Sequence, residues 1–173
     1  DATELGVSRI VPVTCARSQG SVAPRTDRLV RVAFEAARQC GRGDVPRIAE
    51  PCLLADLARE PGLCVAMVPD AERSFGDVTT TGALRTAILV GPEGGLTPEE
   101  IASLGQWGFV SARLGPFVMR TETAAAAALG ADHHVPGHGV RPLGVARLQG
   151  RGDLLDGRDL GAERGHLSSP KMV

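Results

Sequence analysis

Two glycine-containing runs carry the residue types in this chain that are best suited to binding a ligand. Residues 91–95 have the sequence Gly-Pro-Glu-Gly-Gly and directly follow an apolar run at residues 87–90. Residues 114–116, Leu-Gly-Pro, follow a second apolar run that begins at Phe109. Glycines let a ligand approach the backbone, and the free N–H groups at the start of a helix attract polar groups. Because open α/β sheets bind ligands at the carboxyl ends of their strands, the two runs predict one shared pocket.

The two runs do not match the common nucleotide-binding loops. Neither GxxxxGK[ST] nor GxGxxG occurs, and the only lysine, Lys171, is far along the chain from both runs, which argues against a phosphate site. A tight connection between strand and helix remains the alternative explanation for residues 91–95. The second run is followed by Arg120 and Glu122, which by themselves are equally compatible with a surface ion pair worth about 0–1 kcal/mol.

The elements around these runs alternate short apolar strands with helices, the order expected of a parallel α/β sheet. The sequence Thr-Pro-Glu-Glu at residues 97–100 is a capping box with proline at the first helical position, so a helix begins there. The whole pattern predicts strands over residues 9–13, 63–69, 87–90 and 109–114, a short helix over 53–57, a connection through Gly82, and an alanine-rich helix from Thr121 to about Leu129.

A further helix is predicted to start near Asp27, a suitable N-cap residue. Glu35, Gln39 and Arg42 follow at i, i+4 and i+7, so their side chains can point together on one stripe. The opposite stripe predicts an amphipathic helix whose core face consists of apolar, mostly small residues, Val30, Ala33, Phe34, Ala37 and Cys40.

Composition excludes several classes of protein. With 173 residues, 43% hydrophobic and 23% charged residues and a formal net charge of -1, the chain resembles one globular domain. These values exclude a disordered chain and argue against a protein that binds nucleic acid over its whole surface, while local basic patches remain compatible with them. No apolar run approaches the roughly 20 residues that cross a bilayer, and the residues after Asp1 do not have the basic, apolar and small-residue order expected of a signal peptide. We therefore expect a cytoplasmic protein with no membrane partner.

The cysteines and histidines do not predict a metal site. The four cysteines stand at positions 15, 40, 52 and 64, too far apart for a CxxC site, and are expected to be reduced thiols. His133, His134 and His138 have no cysteine or carboxylate spaced with them in the manner of metal ligands. We expect no metal in this protein.

The two glycine-containing runs, taken with their flanks, resemble the bacterial 16S ribosomal RNA uracil-N3 methyltransferases, the RsmE-like family. The matching segments are residues 89–101, Leu-Val-Gly-Pro-Glu-Gly-Gly-Leu-Thr-Pro-Glu-Glu-Ile, and 114–124, Leu-Gly-Pro-Phe-Val-Met-Arg-Thr-Glu-Thr-Ala. Earlier motifs of the family are similar to residues 3–7, Thr-Glu-Leu-Gly-Val, to the Arg17-Ser18 pair, and to Glu35 with Gln39, Arg42 and Pro46. These segments keep the family's order from about residue 1 to residue 129.

This resemblance implies a SPOUT-type methyltransferase domain: an α/β fold with a mostly parallel sheet, a trefoil knot in its carboxyl-terminal segment and a homodimeric active form. It also implies S-adenosylmethionine as the cofactor, contacted mainly by the backbone of three loops. Carried onto this chain, the cofactor-binding residues are Val68, Pro69, Gly91, Pro92, Gly94, Gly95, Leu114, Gly115, Val118 and Met119.

The implied reaction transfers a methyl group to N3 of one uridine in 16S ribosomal RNA of the small subunit. Because N3 carries a proton, the protein must align the base and favour the uracil anion. Arg120 is expected to stabilise that anion through its guanidinium. Glu93 or Glu122 can accept the N3 proton, and Glu122 can instead orient Arg120, which is the role we favour for it.

Arg17, Gln39 and Arg42 lie in motifs that the family uses, and we assign them to RNA binding, with the two arginines on phosphates. Solvated polar side chains on a helix surface are the alternative. Family members carry a β-barrel RNA-binding domain of the PUA type before the motif at residues 3–7, so RNA recognition by this chain alone stays open. We expect a methyltransferase domain over residues 1–134 and a flexible tail, rich in glycine, arginine and aspartate, over residues 135–173.

Two other functions remain compatible with the sequence. One is a catalytically silent knotted module that binds RNA or forms dimers. The other is a knotted methyltransferase that acts on another RNA or another atom, because the cofactor loops carry no information about the acceptor. Bound S-adenosylmethionine or its demethylated product would favour an enzyme over the silent module.

Overall fold

A computed structural model describes residues 1–18, 26–79, 85–133 and 143–146 as an α/β fold built on parallel strands, which confirms the predicted fold class. The described strands are β1 (Arg9–Ile10), β2 (Val13–Thr14), β3 (Arg47–Ile48), β4 (Cys52–Leu53), β5 (Leu63–Met67), β6 (Thr86–Val90), β7 (Phe109–Ala112) and β8 (Leu143–Ala146). The described helices are α1 (Thr26–Gln39), α2 (Phe75–Thr79), α3 (Pro98–Gln106) and α4 (Thr121–His133).

The central sheet has the strand order β7-β5-β6-β8, and its three pairings are all parallel. Both faces of the sheet are covered by helices, which explains why β5 and β6 are near-continuous apolar runs. In β5, Val65 packs in one buried cluster with Phe75 of α2 and Leu129 of α4. Its neighbour Ala66 packs in the other cluster with Leu104 of α3.

The three apolar runs predicted as central strands form β5, β6 and β7. Two of these strands end earlier than predicted, β5 at Met67 and β7 at Ala112. The N–H of Val68 still donates to Ala112 O at 2.9 Å, but Pro69 has no N–H to continue the ladder. The residues beyond both strand ends are therefore free to form loops at one edge of the sheet.

The strand predicted over residues 9–13 is divided into β1 and β2 by Val11 and Pro12. Each half pairs separately and in parallel, β1 with β3 and β2 with β4. Pro12 cannot donate to a ladder, although its carbonyl accepts from Cys52 N at 3.0 Å. The short helix predicted over residues 53–57 is replaced by β4 and a single 3-10 turn, Leu54–Asp56.

The helix α1 begins at Thr26, and only part of its predicted core face is buried. Ala33 and Ala37 are buried, whereas Val30 and Phe34 are 46% and 50% exposed. The spacing places these apolar residues on one face of α1, but of that face only Ala33 and Ala37 are buried against the described fold. The described part of the chain therefore leaves an apolar stripe of α1, Val30 and Phe34, exposed.

The helix α2 lies inside the stretch that was predicted to be only a connection. Ser74 starts it: Asp77 N donates to Ser74 Oγ at 3.2 Å, and Ser74 N donates to the Asp77 carboxylate at 3.4 Å. Phe75 and Val78 are buried against the sheet. A helix of five residues is too short to show a 3.6-residue period, so hydrophobic spacing did not indicate it.

The two helices that follow the glycine-containing runs form where the sequence predicted them. The capping box of α3 is complete: Glu100 N donates to Thr97 Oγ1 at 3.2 Å and Thr97 N donates to Glu100 Oε2 at 2.8 Å. The helix α4 begins at Thr121 as predicted but continues to His133, beyond the expected end near Leu129.

Four residues of the segment expected to be a flexible tail form a strand instead. The strand β8 pairs in parallel with β6 over the whole of its length, from Leu143 beside Ala87 to Ala146 beside Val90. The glycines and alternating charges of the surrounding sequence concealed this strand, because the apolar run Leu-Gly-Val-Ala is only four residues long and too short to stand out as a pattern. The other residues of the predicted tail lie outside the described part, and the boundary at residue 134 stays a prediction.

Candidate functional site

The carboxyl ends of β5, β6 and β7 border a cavity of about 500 Å³. The last residues of these three strands, Met67, Val90 and Ala112, all line it. This is the edge of the sheet at which the glycine-containing runs predicted a shared pocket, and the volume lies in the range of small-molecule sites. Three loops, one after each strand, form most of its walls.

The first loop, residues 91–95, brings bare backbone to the cavity. A Cβ at Gly91 would lie 3.0 Å from Leu96 Cγ, so even an alanine there would displace its neighbour. Gly95 has a φ of 71°, a left-handed conformation that favours glycine, and its N–H donates to Pro92 O at 2.8 Å. The loop is thus a closed turn, and its glycines Gly91 and Gly95 line the cavity without a side chain.

The second loop joins β7 to α4 and is tied to the first loop. Thr121, the buried first residue of α4, donates through Oγ1 to Gly91 O at 3.2 Å. Gly115 supplies a left-handed turn, with a φ of 78°. Phe117, which is 82% exposed, and the neighbouring Val118 give this loop an apolar rim at the mouth of the cavity.

Arg113 at the start of the second loop holds the third loop, which follows β5. Its guanidinium donates to Ala71 O at 2.7 Å and also to Glu72 O. Its backbone N–H donates to Arg73 O at 3.0 Å, and its carbonyl accepts from Phe75 N at 2.9 Å. Backbone and side chain of one residue therefore fix the loop that precedes α2.

A fourth segment reaches the cavity from the amino-terminal part of the chain. Arg17 lines the cavity, and its Nη1 donates to Gly94 O at 3.0 Å. The preceding residue, Ala16, donates its N–H to Glu100 Oε1 at 2.7 Å. The segment around Arg17 is thereby attached both to the first loop and to the start of α3.

Residues 1–132 match the family model described as an RNA methyltransferase domain. The chain belongs to this family. It is 35% identical over 142 residues to ribosomal RNA small subunit methyltransferase E of Mycobacterium bovis, covering 75% of this chain and 54% of that protein. To the same enzyme of Aquifex aeolicus it is 33% identical over 126 residues, covering 71% of this chain and 55% of that protein. The resemblance read from the motifs is confirmed, and the chain spans slightly more than half the length of these relatives.

Solved structures related to this RNA methyltransferase domain include two that contain S-adenosylmethionine. Ribosomal RNA small subunit methyltransferase E from Neisseria gonorrhoeae, bound to S-adenosylmethionine, is 32% identical with a TM-score of 0.68, covering 75% of this chain and 56% of that one. A Legionella pneumophila protein in complex with the same cofactor is 31% identical with a TM-score of 0.68, covering 76% of this chain and 57% of that one.

The cavity of the RNA methyltransferase domain brings together nearly all residues that were predicted to bind a cofactor. Gly94 is the exception, since it does not line the cavity and its carbonyl is turned to Arg17. The predicted residues that do line the cavity are Val68, Pro69, Gly91, Pro92, Gly95, Leu114, Gly115, Val118 and Met119.

Two of the three predicted catalytic residues also line the cavity. Arg120 and Glu93 both lie on its wall with exposed side chains. Glu122 is exposed on the first turn of α4 and is not part of the lining. Within the described ranges no hydrogen bond or ion pair joins Arg120 to Glu122, so the orienting role of Glu122 stays a prediction.

The polar residues predicted to point together on α1 have separate partners. Glu35 forms an exposed ion pair with Arg38. Arg42 turns toward the start of the chain, where its Nη1 donates to Thr3 O at 2.7 Å and to Val7 O at 3.0 Å; its Nη2 pairs with Asp44. The guanidinium of Arg42 thus anchors the segment that precedes β1. Its assignment to RNA, and that of the exposed Gln39, stay predictions.

Sequence reasoning missed two charged residues of the cavity wall, Asp70 and Arg113. Asp70 follows Pro69 directly, so its place just after a predicted strand was the signal that could have identified it. Arg113 was included in the predicted strand over residues 109–114, where an arginine at the last positions was a similar signal. Both stand at the carboxyl end of a strand, the position at which α/β proteins concentrate functional residues.

Two thiols, Cys52 in β4 and Cys64 in β5, have a pKa above the ordinary cysteine value. Burial raises the pKa of the Cys64 thiol. Burial also raises the pKa of the Cys52 thiol, with a smaller contribution from the nearby Asp56 carboxylate.

In the part of the chain that the structure describes, no three histidine, cysteine or acidic side chains cluster as metal ligands would. No described helix is both long enough and apolar enough to cross a membrane.

Proposed function

We propose that this chain is a methyltransferase domain that uses S-adenosylmethionine to methylate ribosomal RNA of the small subunit, at N3 of a uridine. The observation that carries the proposal is the cavity at the ends of β5, β6 and β7, whose three loops contain nearly all residues that family resemblance assigns to the cofactor. Because the chain covers only part of its relatives, its activity on RNA is part of the proposal.

The residues of the cavity fit S-adenosylmethionine. Backbone at Gly91, Gly95 and Gly115 is open to the ligand, so peptide N–H and C=O groups can recognise the edge of a purine. Apolar side chains of the lining, such as Leu114 and Met119, can cover the faces of the base. Asp70 supplies a carboxylate suited to ribose hydroxyl groups, a role that acidic residues have in other nucleotide sites. When bound, S-adenosylmethionine supplies an electrophilic methyl group.

The protein side chains then have to prepare the nucleophile. Uracil N3 carries a proton at neutral pH, and its loss leaves negative charge on the two carbonyl oxygens of the ring. The Arg120 guanidinium, exposed on the cavity wall, can donate to those oxygens and favour the anion. Glu93 on the facing loop can accept the N3 proton. Glu122 has the separate proposed role of orienting Arg120 from the first turn of α4.

Arg17, Gln39 and Arg42 are the proposed RNA contacts. Arg17 supports this role best, because its guanidinium carries five N–H donors and lies at the cavity wall. Exposed Phe117 and Val118 beside Arg120 offer an apolar surface for an unstacked base.

The solvent-facing apolar stripe of α1 supports a homodimer, which the family resemblance also implies. We also propose a trefoil knot and a cytoplasmic location, both of which rest on the family resemblance.

The first test is calorimetric titration of this chain with S-adenosylmethionine, followed by methyl transfer to small ribosomal subunits that lack the modification. Binding together with transfer to a single uridine N3 would establish the proposed function. Binding without transfer would retain the cofactor and assign RNA recognition to sequence beyond this chain. A folded sample that binds no cofactor would support a catalytically silent module instead.

A further inference from the structure

A chain of hydrogen bonds connects the amino-terminal segment to the first cofactor loop. Arg17 Nη1 donates to Gly94 O at 3.0 Å, and the adjacent Ala16 N–H donates to Glu100 Oε1 at 2.7 Å. The second oxygen of the same carboxylate, Oε2, accepts from Thr97 N at 2.8 Å. Glu100 therefore holds two separate backbone segments with one side chain, its capping partner on α3 and the segment that carries Arg17.

Arg17 is packed directly against the backbone of the first loop. A Cβ added to Gly94 would lie 3.1 Å from Arg17 Cβ, so the absence of a side chain at Gly94 allows this close approach. The segment before Arg17 is itself fixed, since Cys15 N donates to Ser18 Oγ at 2.7 Å and Ser18 N donates to Cys15 O at 3.0 Å. The guanidinium thus reaches Gly94 from an ordered turn.

We infer that Arg17 is a positioning residue of the cofactor site, holding the Gly94 carbonyl so that the first loop keeps its ligand-binding shape, and that Glu100 acts through Arg17 by fixing the turn on which it stands. This inference rests on the proposed function, because it concerns binding of S-adenosylmethionine. Arg17, proposed above as an RNA contact, thereby has a second role in cofactor binding, and Glu100 has a role beyond capping α3.

The physical reason is preorganisation of the loop. Residues 91–95 present peptide groups to the cavity, and their directions depend on the orientation of each peptide plane. Among the described residues, two hydrogen bonds hold the peptide between Gly94 and Gly95: Gly95 N donates to Pro92 O at 2.8 Å, and Arg17 Nη1 donates to Gly94 O at 3.0 Å. Without Arg17 only the first of them remains, so the carbonyl of this peptide is held less firmly. A loop that samples several shapes must be ordered by the ligand, and that ordering weakens binding.

The test measures dissociation constants for S-adenosylmethionine by calorimetry in the absence of RNA, so that any RNA contact of Arg17 does not enter. Arg17→Ala is expected to raise the dissociation constant about tenfold, in line with the loss of one charged hydrogen bond. Arg17→Lys keeps a cationic donor and is expected to recover about half of that loss on a logarithmic scale. Glu100→Gln, whose amide cannot accept from both Ala16 and Thr97, is expected to raise the constant about threefold to tenfold.

The matched control is Glu99→Gln. Glu99 is exposed in the same first turn of α3 and carries the same charge. It lies within electrostatic reach of Arg17 but is not the acceptor of the hydrogen bonds from Ala16 and Arg17, so Glu99→Gln removes a nearby charge and leaves those two bonds in place. Its dissociation constant should stay within twofold of the parent chain. Melting temperatures of all variants identify any loss of binding that follows from unfolding.

A double-mutant cycle separates a positioning role of Glu100 from a merely structural one. If Glu100 acts through Arg17, adding Glu100→Gln to Arg17→Ala changes the dissociation constant by less than about twofold. Fully multiplicative effects would overturn the role of Glu100, and unchanged binding by folded Arg17→Ala would overturn the role of Arg17. A parent chain that binds no S-adenosylmethionine would instead contradict the proposed function itself.

Discussion

Arg120 stands on the cavity wall with its side chain exposed, among residues whose contributions to the cavity are mostly backbone or apolar. An exposed guanidinium at such a place adds little to folding and little to the recognition of a purine or ribose. Its chemistry suits a group that becomes negatively charged during the reaction. The role of this residue can therefore be separated experimentally from cofactor binding.

Replacing Arg120 with alanine is expected to reduce methyl transfer by about 100-fold or more, because the proposed hydrogen-bond donor to the uracil anion is lost. The dissociation constant for S-adenosylmethionine should change by no more than a few fold. Single-turnover transfer and calorimetry measure the two effects. Arg120→Lys is the control that retains the charge without the planar fork, and a fully active alanine variant would remove Arg120 from the mechanism.

Thr86 is a second residue whose side chain can be tested alone. It is 0% exposed at the start of β6, and its Oγ1 finds no hydrogen-bond partner among the residues that the structure describes. A buried hydroxyl without a partner opposes folding, while valine has the same shape without the polar group. Thr86→Val is therefore expected to increase the free energy of unfolding by about 1 kcal/mol, measured by urea denaturation.

Thr79 provides the matched control for that substitution. It is also buried, but its hydroxyl donates to Phe75 O at 3.0 Å. Thr79→Val removes a satisfied hydrogen bond and should not stabilise the protein. Equal effects of the two substitutions would show that burial alone, and not the missing partner, determines the result.

At the scale of elements, α2 depends on a reciprocal contact between Ser74 and Asp77. Hydrogen bonds from Ser74 hold the pKa of the Asp77 carboxyl below its ordinary value. The bond from the Ser74 side chain lowers the pKa more than the bond from the Ser74 backbone N–H does. A lowered pKa in the folded state means that the ionised carboxylate favours folding above the unfolded-state pKa. That contribution is lost as the pH falls through the folded-state value.

Asp77→Asn should consequently lower the melting temperature at pH 7 and have a smaller effect as the pH falls to about 3, below the ordinary aspartate pKa of about 3.9. Thermal unfolding of parent and variant across that interval measures the difference. Asp70→Asn, on an exposed aspartate in the preceding loop, is the control for removal of one negative charge. A difference that grows on acidification would contradict the assignment.

The elements also show which parts of this fold the sequence reveals. The loops at residues 91–95 and after β7 were predictable because glycine, proline and the capping box are local signals that need no knowledge of tertiary contacts. The division of the first strand and the pairing of β8 depend on neighbours distant in the chain, which periodicity does not contain, and α2 has too few residues to show a helical period. Asp70 and Arg113 carried a local signal, their position at the end of a predicted strand, but that they line one cavity follows from the register of β5 and β7.

At the scale of the whole molecule, the uncovered stripe of α1 bears on assembly. Val30 and Phe34 lie one turn apart and are each about half exposed. Phe34→Asp places a charge in that stripe and is expected to convert a dimer into a folded monomer, measured by light scattering with size-exclusion chromatography. Val32→Asp is the matched control, because Val32 is 56% exposed but lies on the opposite side of the helix. A dimer retained by Phe34→Asp would place the interface elsewhere.

The order of strands in the central sheet has a consequence for how the chain is made. The strand β5 is synthesised before both of its neighbours, β6 and β7. One edge of β6 has no pairing strand until residues 143–146, which form β8, have left the ribosome. A nascent chain of this topology therefore has unpaired strand edges through much of translation. Such edges can pair with other chains, which promotes aggregation or chaperone binding. Every pairing is also distant in sequence, which slows folding relative to a protein built from local contacts.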